Sequence, residues 1–419
     1  MKQTRVVIIG GGFGGLNVAK NLRRSKAEIY LIDKKNHHLF QPLLYQVASA
    51  ALSPADIAVP LREIMQNQRN TTVLMGNVQS VDKAQKTITL KNGECIPFDY
   101  LVIATGARHS YFGNDAWEHY APGLKTIRDA LSIRERLLVS FEQAERCDSR
   151  AEAKKYLNFV IIGAGPTGVE MAGSIAEIAH KTMIRNFRRI KPESACIYLL
   201  EAAPRVLPPY PESLSKRAKK DLEKMGVKVM TSKRVTGVTE RGVELEDEFI
   251  ESKNVIWAAG NQASPLLRTL DTELDRQGRV IVEKDLSIPG HEDIFVIGDA
   301  AHVLDKKGVP IPATAPAAIQ EGRYLAQLIK KRIPKNKRKP FKFFDKGSMA
   351  TIGKAKAVAY FGKIKFTGLI AWLAWGFIHI MYLIGFRSRF SVGLNWFFHY
   401  FTGIRGARLI QKTIDEQPQ

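Results

Sequence analysis

Arg5-Val-Val-Ile-Ile-Gly-Gly-Gly-Phe-Gly-Gly-Leu16 decides the fold of this chain. Its β-branched run makes a short strand that stops at Gly10, and Gly10, Gly12 and Gly15 fit G-x-G-x-x-G. Leu16, Val18, Ala19 and Leu22 then recur at helical spacing. In such a unit the first glycine permits the tight turn, and the second lets a pyrophosphate approach the backbone. The third lets the helix pack on the strand, so that its free amides and dipole face the phosphates. A second strand, Glu28-Ile-Tyr-Leu-Ile, leads to Asp33, 18 residues after Gly15, where an acid accepting adenosine ribose hydroxyls belongs.

The pattern then repeats. Tyr156-Leu-Asn-Phe-Val-Ile-Ile reads as a strand, Gly163, Gly165 and Gly168 form a second fingerprint, and Val169, Ala172, Ile175 and Ile178 continue at helical spacing. The next strand, Cys196-Ile-Tyr-Leu-Leu, ends at Glu201, 33 residues after Gly168, where about 20 is usual. The excess is the Lys- and Arg-rich stretch Ala179 to Glu193, read as an extended helix plus loop. A carboxylate at Glu201 accepts ribose hydroxyls and repels a 2′-phosphate, which favours NADH, with Arg205 the one neighbour that argues for the phosphate. Two dinucleotide sites in one chain are most simply a flavin, FAD, held permanently and a nicotinamide, NADH, that comes and goes.

Composition bounds the rest. At 419 residues the chain exceeds one hydrophobic core, and its net charge of +22 points to an anionic partner. Cys95, Cys147 and Cys196 form no CxxC pair, which argues against a disulfide framework, a zinc site and a redox-active dithiol. His37 and His38 are adjacent and so face different ways, while His302, His379 and His399 lie far apart, so no metal site is expected. A core strand is expected almost from residue 1, with no cleavable targeting segment before it, and the protein is expected on the cytosolic side of any membrane it meets.

Three further motifs resemble the flavoproteins built from two dinucleotide-binding domains, the second inserted into the first. Leu101-Val-Ile-Ala-Thr-Gly-Ala and Val255-Ile-Trp-Ala-Ala-Gly each close a nucleotide half with an apolar strand and a small-residue turn. Ile294-Phe-Val-Ile-Gly-Asp299 resembles the late FAD motif, whose aspartate holds the ribityl chain. Within that superfamily the chain is similar to the type II NADH:quinone oxidoreductases, single-subunit enzymes that do not pump protons. His38-Leu-Phe-Gln-Pro-Leu-Leu-Tyr45 resembles their segment beneath the flavin, and Gly165-Pro-Thr-Gly-Val-Glu170 their nicotinamide turn. Thr314-Ala-Pro-Ala-Ala-Ile-Gln320 resembles their quinone motif AQxAxQ, departing at Pro316, which has no side-chain donor and no backbone N–H.

The resemblance implies an α/β fold with two Rossmann-like domains: an FAD domain over 1–125 and 266–340, an inserted NAD(H) domain over 126–265, and a C-terminal membrane-attachment segment over 341–419. It implies Glu170 and Gln320 at the quinone end as the catalytic pair. For FAD it adds Phe13, Gly14, Lys34, Gln41, Pro42, Val78, Ala104, Thr105, Gly106, Asp299 and Ala318 to the glycines and Asp33. For the nicotinamide it adds Thr167, Ala259 and Gly260. On the residues alone, Glu170 is equally a first-turn acid suited to the helix dipole, and Gln320 a member of a solvated helix face. A sulfide:quinone oxidoreductase or a disulfide reductase would need paired cysteines that are missing here.

Residues 330–365 carry thirteen Lys and Arg against Asp345 alone, more than half of the chain's excess charge. The uncharged run Phe366 to Phe386 follows, and then Trp396-Phe-Phe-His-Tyr-Phe401. The run is long enough to span hydrocarbon, but its tryptophans are central and His379 sits within it. An interfacial, monotopic attachment to an anionic lipid surface at the cytoplasmic face of the inner membrane is the reading taken, with a membrane quinone as substrate and no nucleic acid partner. Homodimerisation is left open, and His379, a packed or membrane-facing residue, is not placed in the site.

Overall fold

The opening stretch forms the expected strand, turn and helix in the computed structural model, which describes residues 3–411. Strand β1 (Arg5–Ile9) leads into helix α1 (Phe13–Asn21), and β2 (Glu28–Asp33) returns beside β1. Helix α2 (Leu44–Ala48), strands β3 (Thr71–Met75) and β4 (Tyr100–Ile103) and the long helix α3 (Ile127–Arg146) come next. Strand β5 (Asn158–Ile162) opens the second turn into α4 (Pro166–Glu177), followed by β6 (Cys196–Glu201), β7 (Val227–Thr231) and β8 (Asn254–Trp257). After these come β9 (Ser287–Ile288), β10 (His291–Val296) and α5 (Ala315–Lys330). The chain ends in β11 (Ser348–Gly353), β12 (Lys356–Phe361), β13 (Ile364–Thr367), α6 (Gly368–Tyr382) and α7 (Phe386–Thr402).

These elements form two compact units. The first takes the described residues of Met1–Leu39, Ala58–Arg108 and Asn261–Lys346, the second those of Phe40–Ile57, His109–Gly260 and Gly347–Gln419. The first unit's sheet runs β9-β10-β4-β1-β2-β3, with β1 pairing in parallel with β4 and β2. Val6, Val7 and Ile8 are fully buried, since both faces of β1 are covered, which is why the strand reads as a continuous apolar run. Helices α1 and α5 meet so closely that a Cβ on Gly322 would lie 2.5 Å from the Gly14 carbonyl oxygen.

The second unit repeats the plan on a smaller sheet, β7-β6-β5-β8, with β5 pairing in parallel with β6 and β8. Each unit adds a three-stranded antiparallel meander, Val78–Asp82 to Cys95–Pro97 in the first and Val235–Thr239 to Phe249–Glu251 in the second.

One expectation changes here. The extended helix beyond Gly168 is not formed: α4 stops at Glu177, one wide turn closes with Met183 N–H donating to Ile178 O (2.9 Å), and irregular chain follows. His180 explains the stop, because its ring nitrogens contact the carbonyls of Met225 (3.0 Å) and Ala195 (3.1 Å) and fold the chain back. The C-terminal segment packs within the second unit from Gly347 onward. Its strands β11, β12 and β13 form an antiparallel sheet laid on α4, where a Cβ at Gly173 would lie 1.7 Å from Ile352 O. Only a glycine admits that carbonyl. Helices α6 and α7 follow, and among the described residues no helix is long and apolar enough to cross a membrane.

Candidate functional site

The two turns are built alike in their respective units. Gly10 (φ +105°) and Gly163 (φ +99°) both occupy the left-handed region. A side chain at Gly10 would strike Ala104 O at 2.2 Å, and one at Gly163 would strike Ala259 N at 2.8 Å, so Ala104 and Ala259 back the turns. At Gly15 and Gly168 a Cβ would collide with the carbonyl oxygens of Gly10 and Gly163, at 2.0 and 1.8 Å. Gly12 and Gly165 are the N-caps of α1 and α4, neither helix end is capped by a side chain, and a Cβ at either glycine would meet nothing within 4 Å. That leaves first-turn amides open beside vacant space, the geometry that receives a phosphate.

The acids hold their turns in the same way. Gly11 N–H donates to Asp33 Oδ2 (2.6 Å) and Lys35 N–H to Oδ1 (2.8 Å). Ala164 N–H donates to Glu201 Oε2 (2.7 Å) and Ala203 N–H to Oε1 (2.9 Å). Each carboxylate oxygen keeps a lone pair for a ribose hydroxyl. In the first unit Gly10, Asp33, Lys34, Val78 and Thr105 line one cavity of about 140 Å³. Thr105 Oγ1 is buried there without a hydrogen-bond partner among the described residues. An orphaned hydroxyl, an open glycine cradle and a ribose acid fit an FAD adenosine and pyrophosphate.

Other predicted residues fall around this cradle. Phe13 opens α1 and packs edge-on to His38 (5.1 Å), whose Nδ1 contacts Gly11 O at 2.9 Å. Ala318 packs on Gly298, and Asp299 lies in the short turn Gly298–Ala300. Gly106 and Gly260 turn with positive φ after their strands, and Thr167 is exposed on the first turn of α4. Gln41, in the second unit with Pro42, donates its amide to Lys125 O (3.1 Å).

The predicted catalytic pair separates in character. Glu170, on α4, lines a cavity of about 70 Å³ in the second unit with Tyr45, Thr351, Trp375, Trp396 and Arg405. Burial raises its carboxyl well above the usual range, and a hydrogen bond from the Thr351 backbone opposes this only in part. Burial, with the charge of Glu170 second, also drives the Tyr45 phenol up. Gln320, in the first unit, spends its amide on backbone: Nε2 donates to Pro316 O (3.1 Å) and Phe344 O (3.0 Å), and Oε1 accepts from Phe344 N (2.9 Å). Both amide hydrogens are used, so Gln320 staples residues around Phe344 to α5 and has no donor left for a ligand.

The family model of the pyridine nucleotide-disulphide oxidoreductases matches residues 4–322, and that of the NDH2 C-terminal domain matches residues 346–405. The type II NADH:quinone oxidoreductase NdhA of Mycobacterium tuberculosis is 45% identical over 99% of this chain and 93% of its own. The chain belongs to the type II NADH:quinone oxidoreductases. The same organism's Ndh is 46% identical over 99% of this chain and 91% of its own. In fold, the chain is similar to NDH2 from Plasmodium falciparum solved with NADH (TM-score 0.88, 22% identity), covering 98% of this chain and 100% of that one.

The sequence reading missed several residues at this oxidoreductase's candidate site. Arg405, 2% exposed, donates to Ser49 O (2.6 Å), Ser174 Oγ (3.1 Å) and Glu177 Oε2 (3.0 Å), tying the C-terminus to α4. Trp396 donates to Gln46 Oε1 (2.7 Å), and Gln46 donates to Tyr45 Oη (2.8 Å), so three cavity residues share one chain of hydrogen bonds. Glu321, next to Gln320, is buried and accepts from Gly298 N (2.6 Å), and burial raises its carboxyl to about 7. His379 packs at a tilt on Trp375 (4.4 Å) and belongs to the packed aromatic group.

Proposed function

We propose that the first turn holds FAD through Gly10, Gly12, Gly15 and Asp33, that the second binds NADH through Gly163, Gly165, Gly168 and Glu201, and that a quinone is reduced beside Glu170. Held at the first turn, FAD would supply the hydride-accepting and two-electron-donating chemistry that links NADH to the quinone. The chain's own residues supply binding, orientation and protons. Uncapped amides of α1 and α4 receive the pyrophosphates, while Asp33 and Glu201 take the ribose hydroxyls. NADH is preferred over NADPH, because Glu201 repels a 2′-phosphate and the Arg205 guanidinium donates to Pro208 O (2.8 Å).

Glu170 is the proton donor at the quinone. Burial favours the protonated form of its carboxyl, whose proton would go to an oxygen of the reduced quinone. The Thr351 backbone fixes that carboxyl, and the fit of Ile352 O onto Gly173 fixes Thr351. Tyr45, Trp375 and Trp396 offer the ring apolar walls. Gln320 acts at a remove, by holding the chain at Phe344.

Helices α6 and α7 attach the protein to the lipid that carries the quinone, at the cytoplasmic face. They expose apolar side chains that a water-facing helix would hide, among them Phe386 (82%) and Phe401 (69%). At 15 residues, α6 reaches about 22 Å, short of a ~30 Å hydrocarbon core, so it lies along the surface.

The duplicated carboxylate-to-amide lock at the two turns carries the two-nucleotide reading. Anaerobic mixing of the FAD-loaded protein with NADH should bleach the flavin, and a short-chain quinone should restore its colour. No bleaching, or no recovery, overturns the reading.

A further inference from the structure

The basic stretch between α4 and β6 takes no part in either nucleotide lock, yet it is held in a defined shape. Phe187 stacks on Phe141 of α3 (5.9 Å), and the Glu145 carboxylate accepts the backbone N–H groups of Arg188 (2.8 Å), Arg189 (2.9 Å) and Ile190 (3.0 Å). Arg188 braces the loop by donating to the carbonyls of Arg185 (2.9 Å) and Phe187 (3.3 Å). With its backbone pinned on the inner side, the loop turns Lys181, Arg185 and Lys191 out to solvent beside the exposed Ile184. None of these three cations has a carboxylate within ion-pair distance among the described residues, whereas the neighbouring Arg189 pairs with Asp148.

The loop also adjoins the apolar C-terminus. Thr182 Oγ1 donates to Gly403 O (3.4 Å) just past α7, and Arg408 contacts Met183 Sδ (3.7 Å). The exposed Ile404 and Leu409 thus follow, one residue on, the positions that touch Thr182 and Met183, next in sequence to Lys181 and Ile184. Apolar side chains edged by unpaired positive charge match a bilayer whose headgroups are anionic, each cation near such a surface contributing about fivefold in partition.

We propose that residues 178–191 form a second membrane contact, an electrostatic one that binds anionic phospholipid headgroups alongside the apolar faces of α6 and α7. The proposal rests on the reading that those helices lie on lipid. The insertion in the nucleotide-binding sequence thus serves the membrane, and the surface it adds makes attachment depend on lipid charge.

The test uses the full-length FAD-loaded protein and co-sedimentation with two kinds of vesicle, phosphatidylcholine alone and phosphatidylcholine mixed with phosphatidylglycerol. The variant Lys181→Gln/Arg185→Gln/Lys191→Gln spares the bracing Arg188. Its FAD content and NADH-driven bleaching in detergent should equal those of the parent. Binding of the variant to the mixed vesicles should fall by ~10-fold or more, with binding to phosphatidylcholine unchanged. An undiminished affinity for the mixed vesicles overturns the proposal. So does an equal loss in Lys284→Gln/Lys306→Gln/Lys307→Gln, which removes the same charge from the other unit. Parent binding to mixed vesicles that does not weaken with added salt overturns it independently of any variant. A parent that binds mixed vesicles but never phosphatidylcholine overturns the reading of α6 and α7, and the loop variant still decides the loop.

Discussion

The two glycine turns differ only once the chain leaves them. Counting from the first glycine, Gly14 and Thr167 are equivalent, as are Asn17 and Glu170, and Asp33 and Glu201, the proposed ribose acids, answer each other. Over the first turn lies α5, drawn in by the Gly14–Gly322 contact, and Asn17 folds its amide back onto Phe13 O (2.9 Å). Over the helix of the second turn lies the C-terminal sheet, drawn in by Gly173, and Glu170 faces a cavity. The turn specifies a dinucleotide, and what covers its helix specifies the chemistry beyond it. Locks of similar geometry thus lie under different covers in the two units.

The largest expected effect tests that division directly. In Gly10→Ala a Cβ would sit 2.2 Å from Ala104 O on a backbone at φ +105°, a cost of at least about 3 kcal/mol. This variant should purify without flavin absorbance and without activity. Gly163→Ala meets Ala259 N at 2.8 Å, and should stay yellow while losing reduction by NADH. A colourless Gly163→Ala beside a yellow Gly10→Ala breaks the assignment of cofactors to turns.

The cover of the first turn gives the next effect, on stability. Glu321 has a folded pKa of about 7 against an ordinary 4.5, so the folded state binds its proton more tightly than the unfolded chain does. The stabilisation from that carboxyl is complete below pH 4.5 and is lost as pH rises to about 7, a change of about 3 kcal/mol. In Glu321→Gln the amide oxygen still accepts from Gly298 N without a charge to bury. Melting temperature against pH should be flatter than in the parent, with the variant the more stable above pH 7. A parallel pair of curves would remove Glu321 from the account.

The cover of the second turn gives a kinetic effect of similar size. Glu170→Gln should slow reoxidation of the reduced flavin by quinone about 10²-fold and leave reduction by NADH unchanged. The parent's quinone step should weaken as pH rises through the raised pKa of Glu170, since the protonated carboxyl is the proposed donor, and that pH dependence should vanish in the variant. Asn17→Ala, at the equivalent position of the first helix, should alter neither step. Equal behaviour of the two variants would erase the difference between the covers.

Much of this was legible in the sequence for one physical reason: strand, glycines, helix and acid interact locally, so their spacing encodes their geometry. Gly10 to Asp33 and Gly163 to Glu201 needed no tertiary information, even with the extra residues before Cys196. The covers were not legible. Arg405 meets Glu177 across 228 residues, and nothing in either neighbourhood announces the other. Gln320 matched a ligand-binding motif, but its amide found the backbone of Phe344, 24 residues on, which no periodicity describes. The sheet β11 to β13 was hidden by its lysines, which read as part of a membrane-attachment segment although Ala357, Val358 and Ala359 are fully buried. Glycine 173 carried the only local hint, and its meaning depends on a carbonyl from Ile352.

The smallest effect probes the one place where the sequence left the second nucleotide ambiguous. Arg205 follows Glu201 by four residues and is the cation that a 2′-phosphate would need. Its guanidinium instead donates to Pro208 O at 2.8 Å, bracing the loop after β6. Arg205→Ala should therefore leave the ratio of kcat/KM for NADH over NADPH within about twofold of the parent, because no phosphate contact is lost. Glu201→Gln should shift the same ratio toward NADPH by ~10-fold or more, since one charge-assisted ribose contact is weakened and the repulsion of a 2′-phosphate is removed. A large loss of NADPH use in Arg205→Ala would show that this side chain swings to the ribose when the nucleotide binds. The second lock would then be less selective than the first, and Glu201 alone would not set the cofactor.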